Sequence, residues 1–182
     1  MERLILFGIL SVPVIIISWH GLFNVRTHSF YRFFSWECIL WLAVNNYKYW
    51  FFNPFEIKQI ISWVILVFAG YMVIAGILVF KKYGKIDRSR DEKALLGFEK
   101  TTELIDKGIY KYIRHPLYAS LFYLTWGIFL KNTTTGLLIV AVISSLFLYI
   151  TSRYDEKECI TYFGDKYLEY MTRSKMFVPF VF

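Results

Sequence analysis

Residues 117–150 read LYASLFYLTWGIFL, then KNTTTG, then LLIVAVISSLFLYI. Leu117 to Leu130 and Leu137 to Ile150 are apolar runs of equal length, and the turn Lys131-Asn132-Thr133-Thr134-Thr135-Gly136 between them is polar and short. A short turn forces two successive helices to lie antiparallel, so this stretch predicts a helical hairpin. Both ends of a hairpin emerge on one face. The polar chain before it, Lys81 to Arg114, and the polar chain after it, Arg153 to Phe182, are therefore brought together at that face.

Working outward, a helix needs about 20 apolar residues to cross the hydrocarbon core. Leu4 to Phe23 qualifies, interrupted by Pro13. It reads as a retained anchor, because Arg3 against Glu2 makes a weak positive start and no small-x-small cleavage site follows. Ile57 to Phe80 is the clearest span, with Lys58 near enough to its end to reach the interface. Phe33 to Phe52 contains Glu37, Asn45, Asn46 and Lys48, so it either crosses with these groups facing protein or lies partly in the interface.

Composition agrees with this reading: 57% hydrophobic, 21% aromatic and 19% charged residues, with mean hydropathy +0.43, exclude disorder and an ordinary soluble domain. The predicted fold is an all-α integral membrane protein of about five transmembrane helices with a C-terminal helical hairpin and a cytoplasmic amphipathic tail helix. Residues 1–80 form three N-terminal spans. Residues 81–182 are expected to form a cytoplasmic segment, the hairpin and the tail as one integrated domain.

A net charge of +7 would suggest nucleic acid in a soluble protein, but its distribution says otherwise. With five crossings, 17 of the 21 Lys and Arg residues share one side, while Arg3, Lys48, Lys58 and Lys131 lie opposite. The positive-inside rule makes the basic face cytoplasmic. Lys81, Lys82 and Lys85 are accounted for by orientation and attraction to anionic lipid, and no nucleic-acid partner is expected.

Several chemistries are set aside. Cys38 and Cys159 are too few and too far apart for a disulfide framework or a cysteine-rich metal site. His20, His28 and His115 lack metal-ligand spacing, so no metal is expected. No G-x-G or G-x-S-x-G element occurs.

The hairpin opens with Arg114-His115-Pro116-Leu117-Tyr118. Proline disfavours helix at the residue before it and suits the first turn after it, so Pro116 should start the helix. Arg114, His115 and the free amides of that turn then converge at a helix N-terminus, which attracts anions. Tyr118 lies one turn in, on a face from which its hydroxyl reaches the same ligand. The competing reading makes Arg114, Tyr110 and Tyr112 an interfacial aromatic and basic belt. After the hairpin, Ile160, Phe163, Tyr167 and Met171 recur at helical spacing, which predicts an amphipathic helix weakened or kinked at Gly164. Asp155 and Glu156 lie close to the hairpin's end, where a carboxylate accepts from ribose hydroxyls or opposes a cation. A solvated helix face is the alternative.

Gly108-Ile109-Tyr110 through Arg114-His115-Pro116-Leu117-Tyr118, followed by Asp155-Glu156 and by Phe163-Gly164-Asp165-Lys166-Tyr167, resembles the isoprenylcysteine carboxyl methyltransferase family and its phospholipid methyltransferase relatives. The likeness runs from Phe98 to Pro179. It implies an integral membrane enzyme using S-adenosylmethionine, held by hairpin and tail without a Rossmann domain. Gly108, Tyr110, Arg114, His115, Pro116, Tyr118, Asp155 and Glu156 are the implied cofactor residues, with His115 and Tyr118 near the cofactor's amino-acid end and Glu156 contacting cofactor or reacting centre. Three departures stand out: Asp155-Glu156 where two glutamates are usual, Ile109 for a frequent proline, and Ser120 where glycine is common.

The resemblance implies methyl transfer to a lipophilic substrate at the membrane interface, such as a prenylcysteine-like carboxylate or a related lipid or small-molecule acceptor. A carboxylate acceptor needs a cation to aim it, for which Arg153 or Arg173 serves; an amine or thiol must lose a proton, for which Glu156 or His115 serves. Membrane lipids and a lipophilic or prenylated substrate are the expected partners, with the apolar tail arriving sideways from the bilayer and the cofactor from the cytoplasm. Two other readings remain: an NADPH-dependent sterol-type reductase, which also carries R-H-P-x-Y, and a non-enzymatic lipid-binding scaffold.

Overall fold

A computed structural model of the chain describes residues 1–84 and 101–179. Lys85 and Phe98, named above, lie outside the described residues. Six α-helices occur among those described: α1 Glu2–Ser18, α2 His28–Asn46, α3 Ile57–Tyr83, α4 Pro116–Phe129, α5 Thr135–Phe163 and α6 Asp165–Arg173. Short 3-10 turns cover Tyr47–Tyr49 and Gly108–Lys111, no strand occurs among the described residues, and Ile113 and Lys175 form an isolated bridge.

The hairpin forms as its sequence dictates. Pro116 occupies the first position of α4, where its fixed φ suits the helix and its missing N–H costs nothing. Thr134 caps α5, its hydroxyl oxygen accepting from the Leu137 amide at 3.3 Å. Two of the helices, α3 with 27 residues and α5 with 29, are long and apolar enough to cross a membrane. α4 has 14 residues, a rise of about 21 Å, which falls short of a hydrocarbon core of about 30 Å without its flanks.

Several boundaries differ from expectation. α1 ends at Ser18 rather than Phe23, and α2 starts at His28 and ends at Asn46 rather than running from Phe33 to Phe52. The larger difference is in α5, which does not stop near Ile150 before a separate tail helix but continues to Phe163. Charged residues favour helix as well as apolar ones do, and the first glycine or proline after Gly136 is Gly164. That glycine adopts φ 61, ψ −138, a conformation essentially reserved for glycine, and the chain restarts in α6. The inward side chains of α6 are Tyr167 and Tyr170, not the Tyr167 and Met171 pair that the spacing suggested.

α2 packs along α5 and α3 along α4, while α1 lies on α2. One apolar cluster, around Ile39, Leu42, Ile128 and Ala141, fills the bundle near the hairpin turn; a second, around Met72, Ile113, Tyr118, Leu148 and Phe177, fills the opposite end. Between the helices, the hydroxyl of Ser144 lies 3.1 Å from that of Ser35 and 3.3 Å from that of Thr125, a polar join of the kind that links helices in an apolar medium. The outer faces are different. Ile9 and Ile16 on α1, Val64, Val67 and Ile74 on α3, and Leu146 on α5 are all exposed, an apolar surface far larger than isolated hydrophobic residues would give.

Candidate active site

The polar end of the hairpin is closed by the returning tail. Lys175 donates its amide to the Tyr112 carbonyl at 2.9 Å, and its own carbonyl accepts from the Arg114 amide at 2.8 Å. The Tyr170 hydroxyl donates to the Tyr110 carbonyl at 2.6 Å. Burial holds the Tyr167 and Tyr170 hydroxyls far above the ordinary phenol range, so both stay protonated and can act as donors.

Six side chains meet inside this closure. Arg114 donates from Nε to Oε1 of Glu156 at 2.7 Å and from a second nitrogen to the Ser174 carbonyl. Arg153 donates to Oε2 of Glu156 at 2.7 Å. His115 lies 3.2 Å from Asp155 through Nδ1 and 3.5 Å from Glu156 Oε1 through Nε2. The Tyr118 ring stacks against the His115 ring, with centroids 5.6 Å apart. Burial alone would push the His115 pKa down, but its contact with Asp155 and the negative charges of Asp155 and Glu156 raise it above its ordinary value.

Beside this cluster is a cleft, partly open to solvent, of the concave and largely apolar kind that holds small molecules. Aromatic side chains dominate its border: Phe80 from α3, Tyr110, Tyr118 from α4, Phe163 from α5, and Tyr167 and Tyr170 from α6. Its charged border consists of Glu103, Asp155 and Glu158 with Arg114 and His115. Among the described residues, six of the eight sequence-derived cofactor positions, Tyr110, Arg114, His115, Pro116, Tyr118 and Asp155, border the cleft.

The others stand elsewhere. Glu156 is buried behind the wall, its two oxygens engaged by Arg114 and Arg153. Arg153 is half-exposed beside it. Gly108 shapes the backbone: its φ is +60, and a Cβ there would come within 2.6 Å of Val79. Arg173 pairs with Asp106 at 3.1 Å and borders a separate small depression with Lys111 and Tyr170. The anion pocket expected at the start of α4 is also altered, since the Arg114 guanidinium is engaged by Glu156 and the Arg114 amide by the tail.

Glu158, Glu103 and Cys159 border the cleft without having been singled out in the sequence. A signal for Glu158 existed: three residues after Asp155 it falls on the same helical face. His28 meets Glu158, bringing one atom able to ligate a metal from each of His28, Asp155 and Glu158 within 4.8 Å of the others, a convergence that linear spacing concealed.

The structure is thus a helical protein with two helices long and apolar enough to cross a membrane and, at one end, an aromatic and charged cleft as a candidate small-molecule site. The chain belongs to the phospholipid methyltransferase family, whose model matches residues 63–172. It is 33% identical over 132 residues to the human protein-S-isoprenylcysteine O-methyltransferase, covering 69% of this chain and 44% of that protein. It is 25% identical over 121 residues to methanethiol S-methyltransferase 1 of Bradyrhizobium diazoefficiens, covering 65% of this chain and 42% of that one. With the methanethiol S-methyltransferase of Pseudomonas deceptionensis it shares 29% identity over 115 residues, covering 60% of this chain and 41% of that one. The chain spans less than half the length of these curated relatives. No solved structure matches it.

Proposed function

We propose that this protein is an integral membrane methyltransferase that uses S-adenosylmethionine and transfers a methyl group to a small or lipophilic acceptor at the cytoplasmic boundary. The observation that carries the reading is the contact of Arg114 and His115 with Glu156 and Asp155, which unites the two separated motif elements beside one cleft. The exposed apolar faces of α1, α3 and α5 support five crossings, with the flanks of α4 completing its span. The concentration of Lys and Arg on the cleft side supports a cytoplasmic site.

The residues fit the cofactor. Tyr and Phe side chains offer stacking surfaces and a lining that attracts a cation, while Asp155 and Glu158 offer acceptors for hydroxyl or ammonium groups. When bound, the cofactor supplies an electrophilic methyl group on a sulfonium. The protein's part is alignment and exclusion of water: Tyr110, Tyr118 and Tyr167 wall the cleft, Glu156 fixes Arg114 from behind, and Asp155 orients His115.

The charges also bear on the acceptor. Arg114 and Arg153 are engaged by Glu156, and Arg173 is engaged by Asp106 away from the cleft. Asp155, Glu158 and Glu103 on the border repel a carboxylate, so the site favours a nucleophile that arrives uncharged and gives up a proton, a thiol or an amine. Calorimetry of the purified full chain with S-adenosylhomocysteine and with NADPH tests the class. Binding of the first alone is expected; binding of NADPH alone makes it a reductase, and binding of neither leaves a scaffold. Labelled-methyl transfer to thiols, amines and prenylcysteines then identifies the acceptor.

A further inference from the structure

α2 brings to the cleft a group that lies outside both the motif elements and the residues matched to the family. His28 is fully buried at the start of α2, 130 positions from Glu158 in the chain. Its amide donates to Oε1 of Glu158 at 3.1 Å, and its Nδ1 lies 2.7 Å from Oε2. Two attachments to one carboxylate fix both its position and its rotation. Close by, Tyr31 of α2 stacks on Tyr154 of α5 with centroids 4.9 Å apart, which holds the two helices in this register.

Glu158 borders the cleft, and its side chain is 29% exposed while that of His28 is 0% exposed. A glutamate on a helix surface ordinarily samples several rotamers, and ordering it costs free energy when a ligand binds. The buried histidine removes that cost in advance. Each carboxylate oxygen has about two acceptor sites, so Glu158 can still accept from a ligand after engaging His28.

We propose that His28 is a positioning residue for the cofactor site, holding the Glu158 carboxylate at the cleft so that it accepts hydrogen bonds from hydroxyl or ammonium groups of the bound ligand. This rests on the methyltransferase reading of the cleft. It gives the N-terminal helices a part in ligand binding beyond anchoring.

The test is calorimetric titration of the full chain with S-adenosylhomocysteine, comparing wild type, His28→Ala, His28→Asn, Glu158→Ala and the double alanine variant. Asparagine places an N–H donor near the Nδ1 position; alanine has none. His28→Ala is expected to weaken binding about tenfold, the size of one charge-assisted hydrogen bond. His28→Asn should recover most of that loss, and His28→Ala should cost nothing further once Glu158 is alanine. Unchanged affinity in His28→Ala, or an equal loss in the Glu158→Ala background, overturns the proposal. If the alanine variants do not fold, His28→Asn against His28→Gln decides, because the glutamine amide reaches one methylene too far: a selective loss in the glutamine variant supports the assignment, and equal affinities overturn it. A wild-type protein that binds no S-adenosylhomocysteine overturns both this role and the methyltransferase reading, whereas tight wild-type binding that His28→Ala leaves intact overturns the role alone.

Discussion

Nε of Arg114 donates to Oε1 of Glu156 across 2.7 Å, joining residues 42 positions apart at the two ends of the helical hairpin. The Arg114 side chain is 11% exposed and that of Glu156 2%, so water compensates neither charge well. Arg153 reaches the other oxygen of the same carboxylate from a half-exposed position. The three residues are thus unequal partners.

Removing one member of a buried ion pair strands the other. Glu156→Ala and Arg114→Ala are each expected to lower stability by about 3 kcal/mol, while Arg153→Ala should cost about 1 kcal/mol or less because solvent screens it. Denaturant unfolding in detergent, monitored by near-ultraviolet circular dichroism, checks the order. Equal losses for all three variants would contradict the arrangement.

Two histidines make stability depend on pH. His115 faces Asp155 and Glu156, and His28 faces Glu158 and Asp155 with Arg32 nearby. Burial pushes both pKa values down, but the carboxylates raise them further, to above the ordinary value of 6.5. A raised folded-state pKa adds stability that is fully present below the unfolded value and is lost as pH rises through the folded value. The stability gap between wild type and His115→Gln should therefore be widest below about pH 6.5 and shrink as the solution is made alkaline; thermal unfolding across that range measures it. A gap that widens with pH would reverse the assigned sign.

The hairpin was legible because its information is local: two apolar runs, a polar turn and Pro116 at a helix start. Its consequence, the meeting of Arg114 and His115 with Asp155 and Glu156, followed from topology alone. What could not be read was how the charges pair. The spacing offered Arg114 as a free anion donor, and only the packed structure shows its guanidinium engaged by Glu156. Arg173 shared the tail with the motif but faces Asp106, because α6 turns at Gly164 and carries it away from the cleft. The His28 and Glu158 contact depends on the packing of α2 along α5, which no local pattern encodes.

Gly164 gives a third prediction. Its backbone has φ 61 and ψ −138, and the space around it is open, so a substituted side chain meets conformational strain but no collision. Gly164→Ala should cost about 1–3 kcal/mol. Asparagine, which tolerates the left-handed helical region, should not rescue it, since ψ lies outside that region. Because α6 carries Tyr167 and Tyr170 to the cleft border, affinity for S-adenosylhomocysteine should fall along with the melting temperature. A fully stable Gly164→Ala protein would mean that the break between α5 and α6 lies elsewhere.

The last prediction separates a lipid-facing surface from a water-facing one. Val67 lies near the middle of α3 and is 69% exposed, on the same helix as exposed Val64 and Ile74. If that face meets lipid, Val67→Arg places a charge near the bilayer centre and should disfavour insertion by about 2.5–3.5 kcal/mol. If it met water, the change would stay within about 0.5 kcal/mol. Lys58→Arg, near the end of the same helix, is the matched control, since its charge already reaches the interface. Glycosylation-site mapping during insertion into microsomes reads the difference: a lower inserted fraction for Val67→Arg and none for Lys58→Arg supports a spanning α3, while equal insertion of both would leave the outer apolar surface to be covered by something other than lipid.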